Sequence, residues 1–324
     1  MKLRSLICAA IGALALLQPG LAAAQAWPAK PIRLIVPFPP GGSTDIVARI
    51  VAQKLGERLG QSIVIENRGG AGGTIGTALI AKAAPDGYNL SVASTSTHVV
   101  APGVYPKLDY DPVKDFAPVG LMAISPYLLV VNTSVPAKSL QELVALARAQ
   151  PGKLNYASAG IGSTTHLAME MLKQAAGLDI VHVPYKGNGP AGVAALGGQV
   201  QALFGSMPAV LPQAKSGKLY AIAVGTAKRS SALPNVPTVA ESGYADFEVS
   251  LWLGFFAPKG TPAPVLKRLY SELTAIAMSP EMKEPFERNG ADPVTTTPAE
   301  LTKLMVRELD KYKKVIKAAN ITLK

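Results

Sequence analysis

One arrangement recurs four times in this chain and limits the folds open to it. A short apolar run enters a turn of glycine with Ser, Thr or Asn, and the turn opens a helix with one apolar face. The first copy is the clearest. Ile32-Arg33-Leu34-Ile35-Val36 reads as a buried parallel strand. Phe38-Pro39-Pro40-Gly41-Gly42-Ser43-Thr44-Asp45 is the turn, and Ile46 to Leu55 stacks Ile46/Ile50 and Val47/Val51/Leu55 on one helical face. Ser43, Thr44 and Asp45 are candidate N-caps, because short side-chain oxygens accept bonds from the orphan N–H groups of a first turn. A strand that feeds a glycine turn and a helix start exposes backbone donors and a partial positive charge, which together suit an anion. The loop matches neither nucleotide pattern, Gly-x-x-x-x-Gly-Lys-Ser/Thr or Gly-x-Gly-x-x-Gly.

The other copies follow in order. Strand Ile63-Val64-Ile65 enters Glu66-Asn67-Arg68-Gly69-Gly70-Ala71-Gly72-Gly73-Thr74, and a helix runs on to the stop at Pro85-Asp86-Gly87. Asn155 to Ala157 enters Ser158 to His166, and Ile180 to Val183 enters Pro184 to Pro190, which includes Lys186-Gly187-Asn188-Gly189. A further strand, Asn89 to Ala93, runs into Ser94-Thr95-Ser96-Thr97-His98. Pro102 to Pro118 lacks any period and reads as a surface connection. Leu121 to Asn132, interrupted at Ser125-Pro126, and Glu248 to Ala257 are long extended runs expected to cross between two domains. Val200 to Phe204 and Leu219 to Val224 are further strands. Ser139 with Glu142 and Thr297 with Glu300 form capping boxes at the starts of helices, the second with Pro298 at the first helical position. Alternating strands and helices predict an α/β chain of two lobes with parallel sheets, and ligands of such sheets sit beyond the carboxyl ends of the strands.

The first 26 residues read as a signal peptide: Lys2 and Arg4, an apolar stretch from Leu6 to Leu17, and Ala24-Gln25-Ala26 as a small-x-small cleavage site. The apolar stretch is shorter than the roughly 18 residues that a membrane span requires. Cys8 is the only cysteine and lies inside this leader, so the mature chain offers no disulfide, thiolate ligand or cysteine nucleophile. Its formal charge falls from +11 to +9 when Lys2 and Arg4 leave. The basic residues are scattered and not interleaved with aromatics, which argues against nucleic acid and for anionic solutes or an acidic partner face.

The donors in the four loops are neutral, and a neutral donor set holds a carboxylate without burying a strong positive charge. Ser163 and Thr164 can cap their helix and also touch a ligand. His166 can contact a ligand, cap or pack, and Lys186 can reach a ligand or remain a solvated turn lysine. His98 and His182 fit structural roles as readily as functional ones. Arg68 suits the surface, Asp45 a first helical turn, and Met169 and Met171 the core. Gly-x-Ser-x-Gly, His-Glu-x-x-His and paired carboxylates at a strand end are all missing from the sequence, so no enzyme, metal or cofactor is expected.

Four motifs in this order, Pro37 to Asp45, Glu66 to Gly73, Asn155 to Ser163 and Val183 to Gly187, resemble the substrate-binding proteins of tripartite tricarboxylate transporters, the Bug family. The resemblance covers the whole mature chain. It implies a two-lobed periplasmic-binding-protein fold, each lobe a mostly parallel sheet flanked by helices, with a ligand cleft between the lobes. The expected boundaries are 27–125 with 250–324 for lobe one and 126–249 for lobe two. The implied function is periplasmic capture of a small carboxylated solute by lobe closure and delivery to the permease subunits of such a transporter, with the receptor a monomer. The candidate ligand-binding residues are Phe38, Gly41, Gly42, Ser43, Thr44, Asn67, Gly72, Thr74, Ser94, Thr95, Ser158, Gly162, Ser163, Thr164, His166 and Lys186. Gly205-Ser206 stands where relatives often carry Asp, and Gln201 where an acidic residue is common, so ligand identity does not transfer from a relative. Two other readings fit the residues: a secreted α/β enzyme acting on an organic acid with His166 as base, and a sensor that presents ligand to a membrane kinase.

Overall fold

The computed structural model describes residues 27–318, so the expected signal peptide lies outside the described residues. Ten strands form one curled sheet in the order β2-β1-β3-β9-β4-β7-β5-β6, with β8 and β10 also paired to β4. In its first half, β1 (Ile32–Val36) pairs in parallel with β2 (Ile63–Asn67) and β3 (Asn89–Ser94). In its second half, β5 (Asn155–Ser158) pairs in parallel with β6 (Val181–Pro184) and β7 (Ala202–Ser206).

Two long antiparallel strands join the halves. β4 (Phe116–Asn132) pairs with β9 (Ser250–Pro258) as far as Pro126, opposite Ser250. From Tyr127 onward, β4 pairs instead with β7 and with β8 (Leu219–Val224). One strand therefore serves both halves and changes partners at Pro126/Tyr127. The interruption expected at Ser125-Pro126 is absent, because the strand runs through both residues. Proline lacks an N–H, yet it is accommodated here where one ladder ends and the next begins.

The helices are α1 (Ser43–Leu59), α2 (Thr74–Ala81), α3 (Leu140–Ala149), α4 (Thr164–Ala176) and α5 (Asn188–Leu196), then α6 (Met207–Lys215), α7 (Ala263–Ala277), α8 (Pro280–Arg288) and α9 (Pro298–Ala318). Helices start at each of the four glycine turns and at both capping boxes, while α6 and α8 lie where none was expected. Val47, Val51 and Leu55 of α1 are fully buried against the sheet, as the stripe requires. Burying one such side chain contributes about 1.5–3 kcal/mol. The Thr297–Glu300 box closes in both directions, whereas at α3 the Glu142 carboxylate takes the N–H of Lys138 rather than that of Ser139.

The stretch from Pro102 to Pro118 is more than a surface connection. A π-helical turn (Ser96–Val100) precedes it, and a single helical turn (Ala101–Val104) runs into its first three residues. Within it, Tyr110 and Phe116 are buried against His98, with Phe256 on the same ring.

Candidate functional site

The β1–α1 loop is held from within. Gly42, not a hydroxyl residue, is the N-cap of α1, and no side chain caps that first turn. Ser43, Thr44 and Asp45 follow as the first helical residues, all buried. This corrects the expectation that they cap the helix. The Asp45 carboxylate accepts from Gly41 N at 3.0 Å, Arg49 Nε at 3.0 Å and Asn67 Nδ2 at 2.9 Å. Burial pushes the Asp45 pKa up, but these bonds and the Arg49 charge outweigh it and hold the group below its usual value. Asn67 also donates to Phe38 O at 2.9 Å, so its amide clamps the two loops together.

The 67–74 loop reaches across to the second half of the molecule. Gly72 has φ +63°, and a Cβ there would lie 2.8 Å from Ile161 O and 3.4 Å from Ser163 N. Only glycine permits this approach of one backbone to another. Thr74 Oγ1 turns back to Ala71 O at 2.9 Å. The Phe38 ring and Thr97 flank Gly73. Of the pair after β3, Ser94 Oγ is buried with no partner. Thr95 Oγ1 is committed to β9, accepting from Trp252 N at 3.0 Å and donating to Ser250 O at 3.2 Å.

On the facing side, Ser163 caps α4 by accepting from His166 N at 3.3 Å, and its hydroxyl donates to Gly160 O at 2.6 Å. Thr164 meets Ser96 across the seam, Oγ1 to Oγ at 2.9 Å. The buried Tyr127 hydroxyl sits against the same two hydroxyls. Ser158 Oγ lies 2.6 Å from His182 Nε2 and accepts from Gly160 N. His166 stacks on His182 with ring centroids 4.2 Å apart, and Gly162 N points at His166 Nδ1. Gly162 packs on the Tyr105 ring, whose hydroxyl donates to Ile161 O at 2.9 Å.

In the last loop, Gly187 caps α5 without a side-chain bond. A Cβ on Gly189 would lie 3.0 Å from Pro40 O and 3.5 Å from Gly42 N. Lys186 is exposed and does not join the buried cluster. Ser206, absent from the sequence-predicted site residues, starts α6 with its Oγ buried and unpartnered, while its N–H donates to Asn188 Oδ1 at 3.3 Å. The departure from Asp at this position is the signal that could have flagged it.

The four loops thus meet in pairs. The start of α1 abuts the start of α5 through Gly42 and Gly189, and the approach to α2 abuts the start of α4 through Gly72 and Ile161–Ser163. Two helix N-termini facing each other concentrate partial positive charge where an anion is favoured. Of the buried polar side chains along this seam, Ser43, Thr44, Ser94, Ser96, Ser158, Ser163, Thr164, Asn188 and Ser206 are neutral, while the Asp45 carboxylate is spoken for by Gly41, Arg49 and Asn67. A groove of about 590 Å³ along α1 and β2, lined by Arg49, Gln53, Glu57 and Ile63, includes none of the four loops. Among the described residues, no three His, Cys, Asp or Glu side chains are grouped to hold a metal.

The chain as a whole is similar to known proteins. A family model described as "Tripartite tricarboxylate transporter family receptor" matches residues 47–321. The chain belongs to this receptor family. The receptor is 40% identical over 302 residues to Protein BugT of Bordetella pertussis, covering 93% of each chain. It is 43% identical to a solved periplasmic transporter, with a TM-score of 0.90, covering 92% of this chain and all of the other. MatC of Rhodopseudomonas palustris, solved with bound malate, is 34% identical with a TM-score of 0.86, covering 90% of this chain and all of MatC. An R. palustris protein solved with adipate is 36% identical with a TM-score of 0.89, covering 92% of this chain and all of the other. The receptor therefore has the two-lobed periplasmic-binding-protein fold, and its family consists of solute-binding proteins rather than enzymes.

Proposed function

We propose that this receptor captures a small carboxylated solute in the periplasm by closing its two lobes, and delivers it to the permease subunits of a tripartite tricarboxylate-type transporter. Lobe one is residues 27–125 with 250–324 and lobe two is 126–249, so the boundaries coincide with the exchange of partners along β4. Residues 1–26 direct export and are removed. No helix among the described residues is long and apolar enough to cross a membrane. The mature receptor acts as a monomer.

The observation that carries this reading is the pairwise meeting of the glycine loops, with uncapped helix starts and neutral hydroxyls on both sides of one seam. A hydrogen bond to a charged group contributes about 1.5–3 kcal/mol. Micromolar binding requires about 8 kcal/mol net, so several donors from both lobes must converge on one carboxylate. The contacting residues come from the 38–45 and 67–74 loops and from Ser158 to Thr164, with Ser94 and Ser206 as buried hydroxyls still open to a ligand. Malate and adipate, bound by two relatives, set the size range for screening.

The test is a thermal-shift panel of mono-, di- and tricarboxylates on the mature protein, since a ligand of the native state raises Tm. Intact mass of the exported protein checks cleavage after Ala26. A panel without any shift, backed by flat calorimetric titrations, would remove the carboxylate reading. Crosslinking in cells that carry the cognate permease checks delivery, and catalytic turnover of a carboxylate would point to the enzyme reading instead.

A further inference from the structure

We propose that His182, with His166 stacked on it, is the residue that positions the Ser158–Ser163 loop, and that this loop keeps its anion-holding shape only while both rings are neutral. This rests on the reading that the loop contacts the carboxylate. His182 lies between two rings, Tyr156 at 4.8 Å and His166 at 4.2 Å between centroids, each nearly parallel to it. The sandwich fixes the plane of the imidazole.

The polar ends of the two rings meet the loop at two points. Ser158 Oγ already accepts from Gly160 N, so its own hydroxyl hydrogen is free to go to His182 Nε2, 2.6 Å away. Gly162 N–H points at His166 Nδ1 over a longer 3.4 Å. The Gly162 N–H makes His166 Nδ1 an acceptor; at His182, where either atom of the pair can donate, our assignment makes Nε2 the acceptor of the Ser158 hydroxyl hydrogen, which places the ring proton on Nδ1 of His182 and on Nε2 of His166. A second proton on His166 would set N–H against N–H at Gly162. A second proton on His182 would displace the Ser158 hydroxyl hydrogen. Two imidazolium rings at this spacing would also repel each other.

The charged and titratable groups packed around the pair are few. Glu170 and Lys173 stand on α4 beside His166, and Glu170 accepts from the Tyr156 hydroxyl at 2.5 Å and from Lys173 Nζ at 2.7 Å. Lys173 is thereby drawn close to both imidazoles. Burial, then His166, then Lys173 push the His182 pKa down to about 3. Burial lowers that of His166 as well, Glu170 pulls it up and Lys173 pushes it down.

The chain has three histidines, so each resolves by NMR in a histidine-labelled sample. At pH 7 and at pH 5.5, the wild type is expected to show His182 as the Nδ1–H tautomer and His166 as the Nε2–H tautomer. H182F keeps the stack and removes the acceptor, and is expected to speed amide exchange at Gly160 and Gly162 at least about tenfold at fixed pH, without change in α7. H182Q retains an acceptor and is expected to keep wild-type protection. Opposite tautomers, ordinary titration of His182 near pH 6.5, or wild-type protection in H182F would each overturn the assignment. Equal loss in H182Q and H182F would reduce the ring to packing alone and overturn the hydrogen-bond role. Should H182F fail to fold, the wild-type tautomers decide the matter. No ligand enters the experiment, so its failure and that of the carboxylate reading are separable.

Discussion

Ser96 Oγ and Thr164 Oγ1 lie 2.9 Å apart across the seam, and Thr164 N–H donates to the same Ser96 oxygen at 3.1 Å. One residue opens the π-turn after β3 and the other opens α4, so a buried side chain from the first half of the molecule completes a helix start in the second. Loop contact and helix capping are thereby the same event. Ser96→Ala leaves the Thr164 N–H and hydroxyl without this partner, and a buried group so stranded costs about 1–3 kcal/mol. Carboxylate affinity should fall about tenfold or more by calorimetry, because the loss falls on the closed arrangement. Unchanged affinity in a folded S96A would show that this contact does not contribute to closure.

Gly72→Ala should separate folding from closure. The new methyl would lie 2.8 Å from Ile161 O at a backbone φ of +63°, so the two loops could not meet as they do. The left-handed conformation alone costs about 1–2 kcal/mol. Gly217→Ala, at φ +70° with open space around it, is the matched control for that strain. Both variants should lose similar Tm, while only G72A should lose affinity by more than about tenfold. Equal affinities in the two would refute the close approach.

Asp45 should give the receptor an acid-sensitive contribution to stability. Its folded pKa lies below the ordinary 3.8, so above 3.8 its bonds stabilise the fold in full. As pH falls through 3.8 toward the folded value, the unfolded chain binds the proton first and that stability is lost. Asp45→Asn should lower Tm at pH 7 and show a flatter Tm profile between pH 5 and pH 3. A profile parallel to wild type would assign the acid response elsewhere.

His98 should act in a higher pH range. Burial among aromatic rings pushes its pKa down to about 3, and its Nε2 has no partner. The neutral ring is the folded form, so stability is whole above pH 6.5 and declines toward pH 3 as the unfolded chain takes the proton, by up to about 1.4 kcal/mol per pH unit. His98→Leu removes the orphan nitrogen, while Thr97 keeps its bonds to Ser94. At pH 7.5 the variant should lie within about 1 kcal/mol of wild type, and at pH 5 it should be the more stable by chemical denaturation. A loss at both pH values would mean the imidazole packs better than leucine can.

Much of this was legible because the signals are local. A glycine turn after an apolar run announces a strand, a turn and a helix start within a dozen residues, and α1, α2, α4 and α5 all begin where that signal falls. Which loop faces which depends on strand order, and no local pattern carries that. Thr95 illustrates the limit: it sits among hydroxyl residues and reads as a ligand donor, yet its oxygen is used by Ser250 and Trp252, more than 150 positions along the chain. α6 has no counterpart among the expected elements, and it carries Pro208 and Pro212. Pro208 is harmless in the first turn, and the helix runs past Pro212 for only three more residues. His182 reads as an ordinary strand residue until β6 is laid beside β5 and its ring comes to rest on Tyr156.

The exchange of partners along β4 also bears on the order of assembly. Pro126 and Ser250 are register partners on adjacent antiparallel strands, so the chain leaves the first half of the sheet and re-enters it at neighbouring points. Everything between them could be replaced by a tight turn without parting the strands on either side. The half of the sheet that holds β5 to β8 comes from the continuous stretch between these two residues. The other half is a clasp whose two ends are far apart in time: β1 to β3 must wait, with the β3 edge open, until β9 arrives to lie between β3 and β4. A chain emerging from its N-terminus therefore finishes the inserted half of the sheet before the half it began with.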